Sequence, residues 1–484
     1  MPRPTRSRLE TRRRRSARLA LYASLAAVLA ATAALVVWVR PAFEGGAATG
    51  WVDVDFAEYR EVQLLREYIA IDTESETGDQ MAGAEWVVRQ LEGMGLEPTV
   101  ERVGREANVW AVVEGERREA VVLHHHIDVD PILHEDSWVH PPFTGTIDGP
   151  WLYGRGAFDM KSVAVAQLEA VRRLVESGER PHRSVIVLAT TGEEIGSDRG
   201  TRWFLRAHPE LVERFAVVLT EGGAVESTAP GVATYWGTEV GQVRPVQVVV
   251  CHSSRAALEA LEADLRELDL ASEPRRTPLV DRVMAEYAPT RGTERRRETL
   301  GDLDALMRDR RTFAELPLYL RSFFVDQAAE QGVHASEGGG YELRVALLLL
   351  PGTDAEAALR ELLPPWLLRG FTVEVFDEGA ALLGSSPDHW AFETIDRLVE
   401  EHYPDVVHGP IYLPFTVTDA RFFRRSGAPA FGFSPFNVVT PEVHRARLRG
   451  TVNERIALPG YLEGVELYRD LLSRLAADEN RQSD

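Results

Sequence analysis

The chain contains one cysteine, Cys251, and one lysine, Lys161, among its 484 residues. A single cysteine excludes an intrachain disulfide and a zinc site built from several thiolates, so histidines and carboxylates must hold any metal. Positive charge is outnumbered, since the formal net charge is −21, whereas nucleic-acid binding needs a clustered basic surface. We therefore expect no nucleic-acid partner. The chain also lacks the Gly-x-Ser-x-Gly elbow of many serine hydrolases.

The basic residues are concentrated at the N-terminus. Residues 1–18 contain eight arginines and one acid, and residues 19–39 then carry no charge. This uncharged length matches the roughly 20 apolar residues that cross a bilayer, and flanking basic residues stay in the cytoplasm. The sequence predicts a single-pass signal anchor with a cytoplasmic N-terminus and a periplasmic or extracellular remainder. A cleaved signal peptide is the alternative.

Strand and helix patterns alternate from about residue 56. Short β-branched runs at 120–123, 184–189 and 216–219 are separated by helical spacing at 162–177 and 200–208, which predicts an α/β fold whose mostly parallel sheet has helices on both faces. Between 241 and 380 the pattern changes to that of a smaller inserted α+β domain, within which the arginine-rich stretch 272–311 gives no clear element. The predicted order is a basic segment (1–18), the anchor (19–39), a linker (40–55), the larger domain (56–240 and 381–474), the insertion (241–380) and a polar tail (475–484).

Polar residues follow each of the three predicted strands, where ligand sites of such sheets lie. The first cluster is His124-His125-His126-Ile127-Asp128. Along a strand His126 and Asp128 share a face, and a metal-binding histidine needs an acceptor on its second ring nitrogen. We therefore predict that His126 binds metal and that Asp128 orients it. The pattern leaves core and surface positions open for His124 and His125.

The other clusters supply carboxylates. Asp159 lies in a glycine-containing loop just before a predicted helix, where it suits a metal ligand or a helix N-cap. Glu193 and Glu194 follow the second strand, and Glu221 follows the third. Adjacent carboxylates at a strand end face different directions, so one can bind metal while the other accepts a proton from water.

Taken together and in this order, the clusters resemble the zinc aminoacylase/carboxypeptidase family, which includes acetylornithine deacetylase, succinyl-diaminopimelate desuccinylase, aminoacylase and carboxypeptidase S. The similarity extends from about residue 56 to 472, is most specific within 121–223, and is greatest to the carboxypeptidase S branch. The motifs that carry it are His126–Pro131, Pro141-Pro142-Phe143, Gly154–Lys161, Glu193-Glu194, Thr220–Gly223, Thr418–Arg421, Phe433-Ser434-Pro435 and Asn453–Ile456.

The resemblance implies a zinc-peptidase catalytic domain with an inserted ferredoxin-like lid, which can also mediate a homodimer. It implies two zinc ions per subunit, or one, and amide hydrolysis of N-acyl amino acids or small peptides. The implied roles are a bridging ligand (Asp159), ligands of one zinc (His126, Glu221), ligands of the other (Glu194 and a late histidine), a general base (Glu193) and an orienting residue (Asp128).

Two histidine motifs of the family are altered in this sequence. The family's late metal-binding histidine is missing from the residues before Asn453-Glu454, and the nearest candidate is His444, with His408 the other. The lid histidine that stabilises the oxyanion would be His252, although Cys251 replaces the preceding glycine. A strand-to-helix junction with Ser253 or Ser254 as the N-cap is the alternative interpretation of that motif.

A third departure concerns the lid arginine that grips the substrate. The family places it close before Leu-Pro-Gly, but the arginine near residues 350–352 is Arg344, out of register. The leading hypothesis is a membrane-anchored zinc-dependent hydrolase of amide or peptide bonds. The rival is a catalytically impaired relative that acts as a binding or structural module.

Overall fold

The computed structural model describes residues 54–229, 232–268, 270–291, 293–336, 339–377, 384–439 and 452–477. The predicted anchor at 19–39, the polar tail beyond residue 477 and the candidate ligand His444 lie outside these ranges. In the ranges that are described, no helix combines the length and the apolar character needed to cross a membrane.

The described residues form seventeen strands. They are β1 (Thr99–Val103), β2 (Glu106–Val113), β3 (Arg117–His126), β4 (Thr146–Asp148), β5 (Trp151–Tyr153), β6 (Arg183–Thr190), β7 (Phe215–Thr220), β8 (Ala224–Ala229), β9 (Val232–Gln242), β10 (Arg244–His252), β11 (Gln327–Ala335), β12 (Tyr341–Leu349), β13 (Thr372–Asp377), β14 (His408–Leu413), β15 (Ala430–Gly432), β16 (Asn437–Val439) and β17 (Arg455–Ala457).

Fifteen α-helices lie in the same described ranges. They are α1 (Arg60–Ile69), α2 (Gln80–Glu92), α3 (Lys161–Glu176), α4 (Thr201–Ala207), α5 (Pro209–Val212), α6 (Arg255–Arg266), α7 (Pro278–Tyr287), α8 (Glu294–Gly301), α9 (Leu303–Arg308), α10 (Arg310–Glu315), α11 (Leu318–Arg321), α12 (Ala355–Leu362), α13 (Trp390–His402), α14 (Ala420–Arg425) and α15 (Leu458–Ala476).

The largest sheet has the order β1-β2-β6-β3-β7-β15-β9-β8-β16, with β14 also paired to β9. Its centre is parallel, because β3 pairs in parallel with β6 and β7, and β7 pairs in parallel with β15. Antiparallel pairings occur toward both edges, as between β2 and β6 and between β8 and β9. The predicted mixed α/β fold with a mostly parallel central sheet is confirmed.

Helices cover both faces of this sheet because successive buried residues of a strand point to opposite sides. On one face Val122, Ile186 and Val218 share a buried cluster with Phe204 of α4 and Phe423 of α14. On the other face α3 and α15 lie against β3, and Gln167 of α3 donates a hydrogen bond to the His124 carbonyl at 2.9 Å. The strands end together at one edge, which is where the candidate site forms.

A second, antiparallel sheet has the order β11-β12-β10-β13. Its strands and helices follow one another as β10, α6, β11, β12, α12 and β13, which is the chain order of the ferredoxin-like motif. Alternate residues of β10 and β12 point inward and pack against leucines of the two helices; this core includes Val246, Val248, Val250, Leu258, Leu261, Leu343, Val345, Leu347 and Leu362. The domain boundaries stay a prediction.

The stretch that the sequence left without clear elements contains helices α7 to α11, which we call the helical layer. Its core joins Val280, Met284 and Phe313 of these helices to Tyr235 of β9 and Tyr412 of β14. Glu226 of β8 accepts hydrogen bonds from Tyr287 at 2.7 Å and from Arg291 at 2.5 Å. The helical layer therefore packs against the main sheet through apolar contacts and is also hydrogen-bonded to it.

A third, small sheet has the order β17-β5-β4. Its strand β17 pairs antiparallel with β5, with Arg455 opposite Tyr153 and Ala457 opposite Trp151. This pairing brings the segment that follows residue 451 against the chain just before Asp159. It is a long-range connection that no local sequence pattern indicated.

Candidate active site

Five of the side chains singled out in the sequence meet at the carboxyl edge of the main sheet. His126 is the last residue of β3, and its Nε2 lies 3.1 Å from Asp159 Oδ1 and 3.6 Å from Glu221 Oε1. Asp159 belongs to the loop that precedes α3, and its peptide bond to Met160 is cis. Glu221 directly follows β7. The loop and two strand ends thus place three ligand atoms together.

Glu193 and Glu194 complete the cluster from a single 3-10 turn after β6. Among the described residues, ligand atoms of two groups lie within 4.8 Å of one another; the groups are His126, Glu193 and Glu221, and His126, Asp159 and Glu194. The structure therefore brings together all five residues predicted from the strand-end clusters. Their individual roles stay predictions.

Asp128 holds both His126 and the glutamate turn. Its main-chain carbonyl lies 2.8 Å from His126 Nδ1. A carbonyl only accepts, so Nδ1 carries the hydrogen and leaves the Nε2 lone pair of the neutral ring facing the carboxylates. The Asp128 carboxylate accepts the main-chain N–H groups of Glu193 at 3.2 Å and Glu194 at 3.1 Å. The carboxylate lies too far from the His126 ring for a hydrogen bond, because Oδ1 is 3.7 Å from Nδ1. The carboxylate therefore positions the two glutamates, and the main-chain carbonyl of Asp128 orients the ring.

The two preceding histidines are core residues. His124 Nδ1 is 2.9 Å from the Thr220 hydroxyl, and its Nε2 is 2.9 Å from the Thr190 hydroxyl. His125 points to the opposite face, where Nδ1 is 3.0 Å from Gln167 Oε1. Burial lowers the pKa of His124 well below its ordinary value and lowers the pKa of His125 to about 4. Both rings are neutral at physiological pH; His124 connects the ends of β6 and β7, and His125 connects β3 to α3.

The site concentrates negative charge in a buried place. Burial is the largest effect on Glu194 and Glu221 and raises the pKa of both well above the ordinary value, with the Asp159 carboxylate adding to the shift. Burial by itself lowers the pKa of His126, but the nearby carboxylates, led by Glu221, outweigh it and raise that pKa well above its ordinary value. The cluster therefore retains protons that a cation would replace.

The donor set fits a divalent metal ion. One imidazole and four carboxylates surround the position, and this combination suits cations of the zinc type. Within the described part of the chain, Glu194 Oε1 is buried and has no hydrogen-bond partner. A buried carboxylate oxygen in this state is costly unless it is protonated or binds a cation. The residues present thus match the requirements of a metal centre.

Arg421 is a further charged residue of the site to which the sequence assigned no role. It lies on α14, its Nη1 is 4.0 Å from Glu193 Oε1, and it donates to the Thr418 carbonyl at 2.8 Å. The motif Thr418–Arg421 was the available signal, but its separation of more than 220 residues from Glu193 along the chain concealed the contact. Asp419 of the same motif accepts a hydrogen bond from Ser197, which follows the glutamate turn.

The two lid residues considered in the sequence make local contacts. His252 ends β10, its Nδ1 accepts the Ser254 N–H at 2.9 Å, and its ring contacts Phe371. Ser254 occupies the N-cap position of α6, although its side chain makes no capping hydrogen bond. Arg344 pairs with Glu342 of its own strand at 2.7 Å. The oxyanion role of His252 stays a prediction.

The sequence profile of the peptidase family M20/M25/M40 matches residues 122–474. This chain belongs to that family. The match spans every residue of the cluster described above, and it confirms the resemblance to the aminoacylases and carboxypeptidases. The protein is a metallohydrolase that acts on amide C–N bonds.

Similarity to individual relatives extends over most of the chain in one case and over a short part of it in another. Aminoacylase-1 of Sus scrofa is 27% identical over 445 residues, covering 87% of this chain and 96% of the relative. A probable carboxypeptidase S-like protein of Dictyostelium discoideum is 41% identical over 85 residues, covering 18% of this chain and 16% of the relative. These relatives are named as hydrolases of the aminoacylase and carboxypeptidase types.

Solved structures share the fold. Human carnosine dipeptidase 1 superposes with a TM-score of 0.63 at 14% identity, covering 87% of this chain and 97% of the other. The metallo-carboxypeptidase Sso-CP2 of Sulfolobus solfataricus superposes with a TM-score of 0.59 at 18% identity, covering 86% and 99%. At these identities the comparison establishes the architecture alone.

Proposed function

We propose that this protein is a membrane-anchored zinc hydrolase that releases amino acids from N-acyl amino acids or small peptides. The observation that carries the proposal is the convergence of His126, Asp159, Glu193, Glu194 and Glu221 within one carboxyl-edge cluster. The names of the relatives, aminoacylase and carboxypeptidase, place an amino acid on one side of the bond that those proteins cleave. The uncharged segment 19–39 supports the anchor and a catalytic domain outside the cytoplasm.

Zinc is the metal that the donor set favours, because imidazole nitrogen and carboxylate oxygen are both common zinc ligands. His126, Asp159 and Glu221 would hold one ion, and Asp159 with Glu194 would hold a second. A bound metal polarises the amide carbonyl and lowers the pKa of water. His444 stays the proposed last ligand, and a single zinc is the alternative occupancy.

Glu193 is the proposed general base. It is almost fully buried, and the Asp128 carboxylate fixes its main-chain N–H. In the reaction, Glu193 takes a proton from the attacking water as the water oxygen bonds to the carbonyl carbon. Glu193 then passes that proton to the leaving nitrogen as the C–N bond breaks. A buried base with a fixed main chain keeps its orientation through both transfers.

The position of Arg421 supports the proposal that the substrate is anionic. An N-acyl amino acid or peptide carries a carboxylate near the scissile bond, and Arg421 places a guanidinium 4.0 Å from Glu193 Oε1. Arginine binds carboxylates in a planar, two-point geometry. We propose that Arg421 contributes to carboxylate recognition in place of the lid arginine that is out of register.

The second sheet is the proposed lid and dimer surface. Its edge strand β13 exposes Val375 by 44% and Phe376 by 56%. An edge strand with exposed apolar side chains is suited to pairing with a second copy. Size-exclusion chromatography with light scattering on the detergent-solubilised chain tests this, and a V375K/F376K variant should shift any dimer toward monomer. A wild-type protein that is monomeric at all concentrations would exclude the dimer.

The central test measures metal and activity on the same preparations. The full chain, solubilised in detergent, is assayed for bound zinc by mass spectrometry and for amino-acid release from a panel of N-acyl amino acids and dipeptides. Glu193→Gln should retain zinc and lose activity, whereas Glu210→Gln, at an exposed glutamate outside the cluster, should retain both. Zinc-free, inactive protein that is indifferent to Glu193→Gln would favour the catalytically impaired binding module instead.

A further inference from the structure

Glu454 accepts three main-chain N–H groups from the loop that carries Asp159. Its Oε1 lies 3.1 Å from Gly156 N, 2.8 Å from Phe158 N and 3.0 Å from Asp159 N. Glu454 is 295 residues after Asp159 in the chain. One carboxylate oxygen of the C-terminal segment thus binds three main-chain N–H groups within residues 156–159.

The second carboxylate oxygen connects the same loop to the chain after His126. Glu454 Oε2 accepts from Arg155 Nη1 at 2.8 Å, and Arg155 Nη2 donates to the Pro131 carbonyl at 3.1 Å. The Arg155 guanidinium also lies over the Trp138 ring, 5.3 Å from its centroid. The Arg155 and Glu454 side chains are only 4% and 7% exposed. Glu454 therefore connects the Asp159 loop, through Arg155, to the loop after His126 and Asp128.

A charged acceptor at this position has a large effect on the loop. Hydrogen bonds to an ionised carboxylate are roughly twice as strong as neutral ones. Without the carboxylate, three buried or partly buried main-chain donors would lose their acceptor, and an unsatisfied buried donor is destabilising. The loop is closely packed at Gly156, where φ is +89° and an added Cβ would lie 2.9 Å from the Lys161 side chain.

We infer that Glu454 is a positioning residue of the metal centre. It holds the main chain of residues 156–159 so that the Asp159 carboxylate stands 3.1 Å from His126 Nε2. Glu454 acts through this loop, and its own carboxylate oxygens are used by Arg155 and the main-chain donors. The predicted effect on zinc affinity rests on the proposed function, whereas the predicted effect on the loop does not.

The protein should fold without the Glu454 side chain. The main-chain carbonyl of Glu454 accepts the Gly154 N–H at 2.9 Å, and the pairing of β17 with β5 continues through Ile456 and Leu152. These contacts are independent of the carboxylate. A variant at Glu454 should therefore keep the small sheet and lose the order of residues 156–159.

Three substitutions at Glu454 distinguish the effects of side-chain length, negative charge and the acceptor oxygen. Glu454→Asp keeps the charge on a side chain one methylene shorter, Glu454→Gln keeps an acceptor oxygen of the same length, and Glu454→Ala removes both. Glu226→Gln is the matched control, because Glu226 is also a buried glutamate paired with an arginine, Arg291. Glu226 lies on β8, where the helical layer contacts the main sheet.

The first readout is amide hydrogen exchange of residues 154–160 in the metal-free, detergent-solubilised full chain. We expect exchange at Gly156, Phe158 and Asp159 to accelerate at least about tenfold in Glu454→Ala and Glu454→Asp, and by a smaller factor in Glu454→Gln, whose neutral amide oxygen still accepts the three N–H groups but whose NH2 faces the Arg155 guanidinium. The second readout is zinc affinity by competition with a chromogenic chelator. Loss of a residue that orients a metal ligand typically weakens affinity about 10–100-fold, and we expect this for Ala and Asp.

Two results would overturn the inference. One is unchanged exchange at residues 156–159 in Glu454→Ala. The other is a uniform acceleration over the whole chain that matches Glu226→Gln, with zinc affinity retained. If wild-type protein binds no zinc but the local exchange still depends on Glu454, the positioning of the loop is supported and the proposed function fails.

Discussion

Replacing Arg424 by methionine removes one half of a buried ion pair that seats α14 on the main sheet. The guanidinium donates to Glu239 Oε1 at 2.9 Å and to Oε2 at 2.6 Å, and the two side chains are 1% and 0% exposed. Arg424 also donates to the Ala430 carbonyl at 2.8 Å. The pair therefore fixes the helix on which Arg421 stands.

The magnitude follows from what remains in the core. After Arg424→Met the Glu239 carboxylate stays buried and keeps the Gly432 N–H, at 3.1 Å, as a donor. Breaking a buried pair by removing one partner costs about 3–5 kcal/mol, whereas replacing both partners by uncharged groups of similar volume is often close to neutral. The Arg424→Met/Glu239→Gln double variant should therefore be more stable than Arg424→Met alone, by about 2 kcal/mol or more.

Urea denaturation of the full chain, followed by tryptophan fluorescence, measures the free energies of unfolding. Arg311→Met is the control, because that side chain is 90% exposed and pairs with a half-exposed Glu315; exposed pairs contribute about 0–1 kcal/mol. Because α14 carries Arg421 near Glu193, amidase activity of the folded Arg424→Met protein should also fall. An Arg424→Met cost no larger than that of Arg311→Met, or strict additivity in the double variant, would refute the reasoning.

Further predictions concern the metal centre and the histidines beneath it. Glu194→Gln should weaken metal binding, while Glu193→Gln should keep metal and lower kcat by about 10²–10⁴-fold, the usual contribution of general acid–base catalysis; loss of metal from both variants alike would contradict this assignment. Removing metal with a chelator should lower the Tm, because a bound ion stabilises the native state and relieves the crowding of Asp159, Glu194 and Glu221; calorimetry with and without added zinc checks it, and an unchanged Tm would count against a metal site. Acidification should destabilise the fold: the pKa of His125 is lowered to about 4 in the native state, against about 6.5 unfolded, so its contribution is complete above pH 6.5 and is lost as pH falls from about 6.5 to 4, amounting to roughly 3 kcal/mol. His125→Gln should flatten that dependence in urea titrations at several pH values, and an equal slope in both proteins would show that other groups cause it.

Much of the site could be predicted because it depends on strand ends. A buried run of β-branched residues fixes a strand in a parallel sheet, and the residues just after it must lie at the carboxyl edge. This reasoning placed His126, Glu193, Glu194 and Glu221 together, and the glycine-containing loop added Asp159. The predicted helices at 162–177 and 200–208 correspond to α3 and α4, because their apolar residues recur at helical spacing.

What could not be predicted depends on contacts between distant segments. The helical layer has few strongly apolar helices; α8, for example, begins Glu-Arg-Arg-Arg and buries Leu300. Its helices are stabilised by packing on Tyr235 and Tyr412 rather than by their own sequence pattern. Glu454 and Arg421 likewise act on loops that are hundreds of residues away in the chain, so spacing gave no indication of their contacts.

The three consecutive histidines show how position decides the chemistry of a side chain. Strand alternation sends His124 and His125 to opposite faces of the sheet, where burial without a carboxylate hydrogen-bond partner lowers both pKa values. His126 is equally buried, yet it stands at the strand end beside Asp159 and Glu221, and its pKa is raised instead. A shift of the β3 register by one residue would exchange these environments. The parallel pairing of His126 with Thr190, which fixes that register, is therefore as necessary to the metal centre as the ligands themselves.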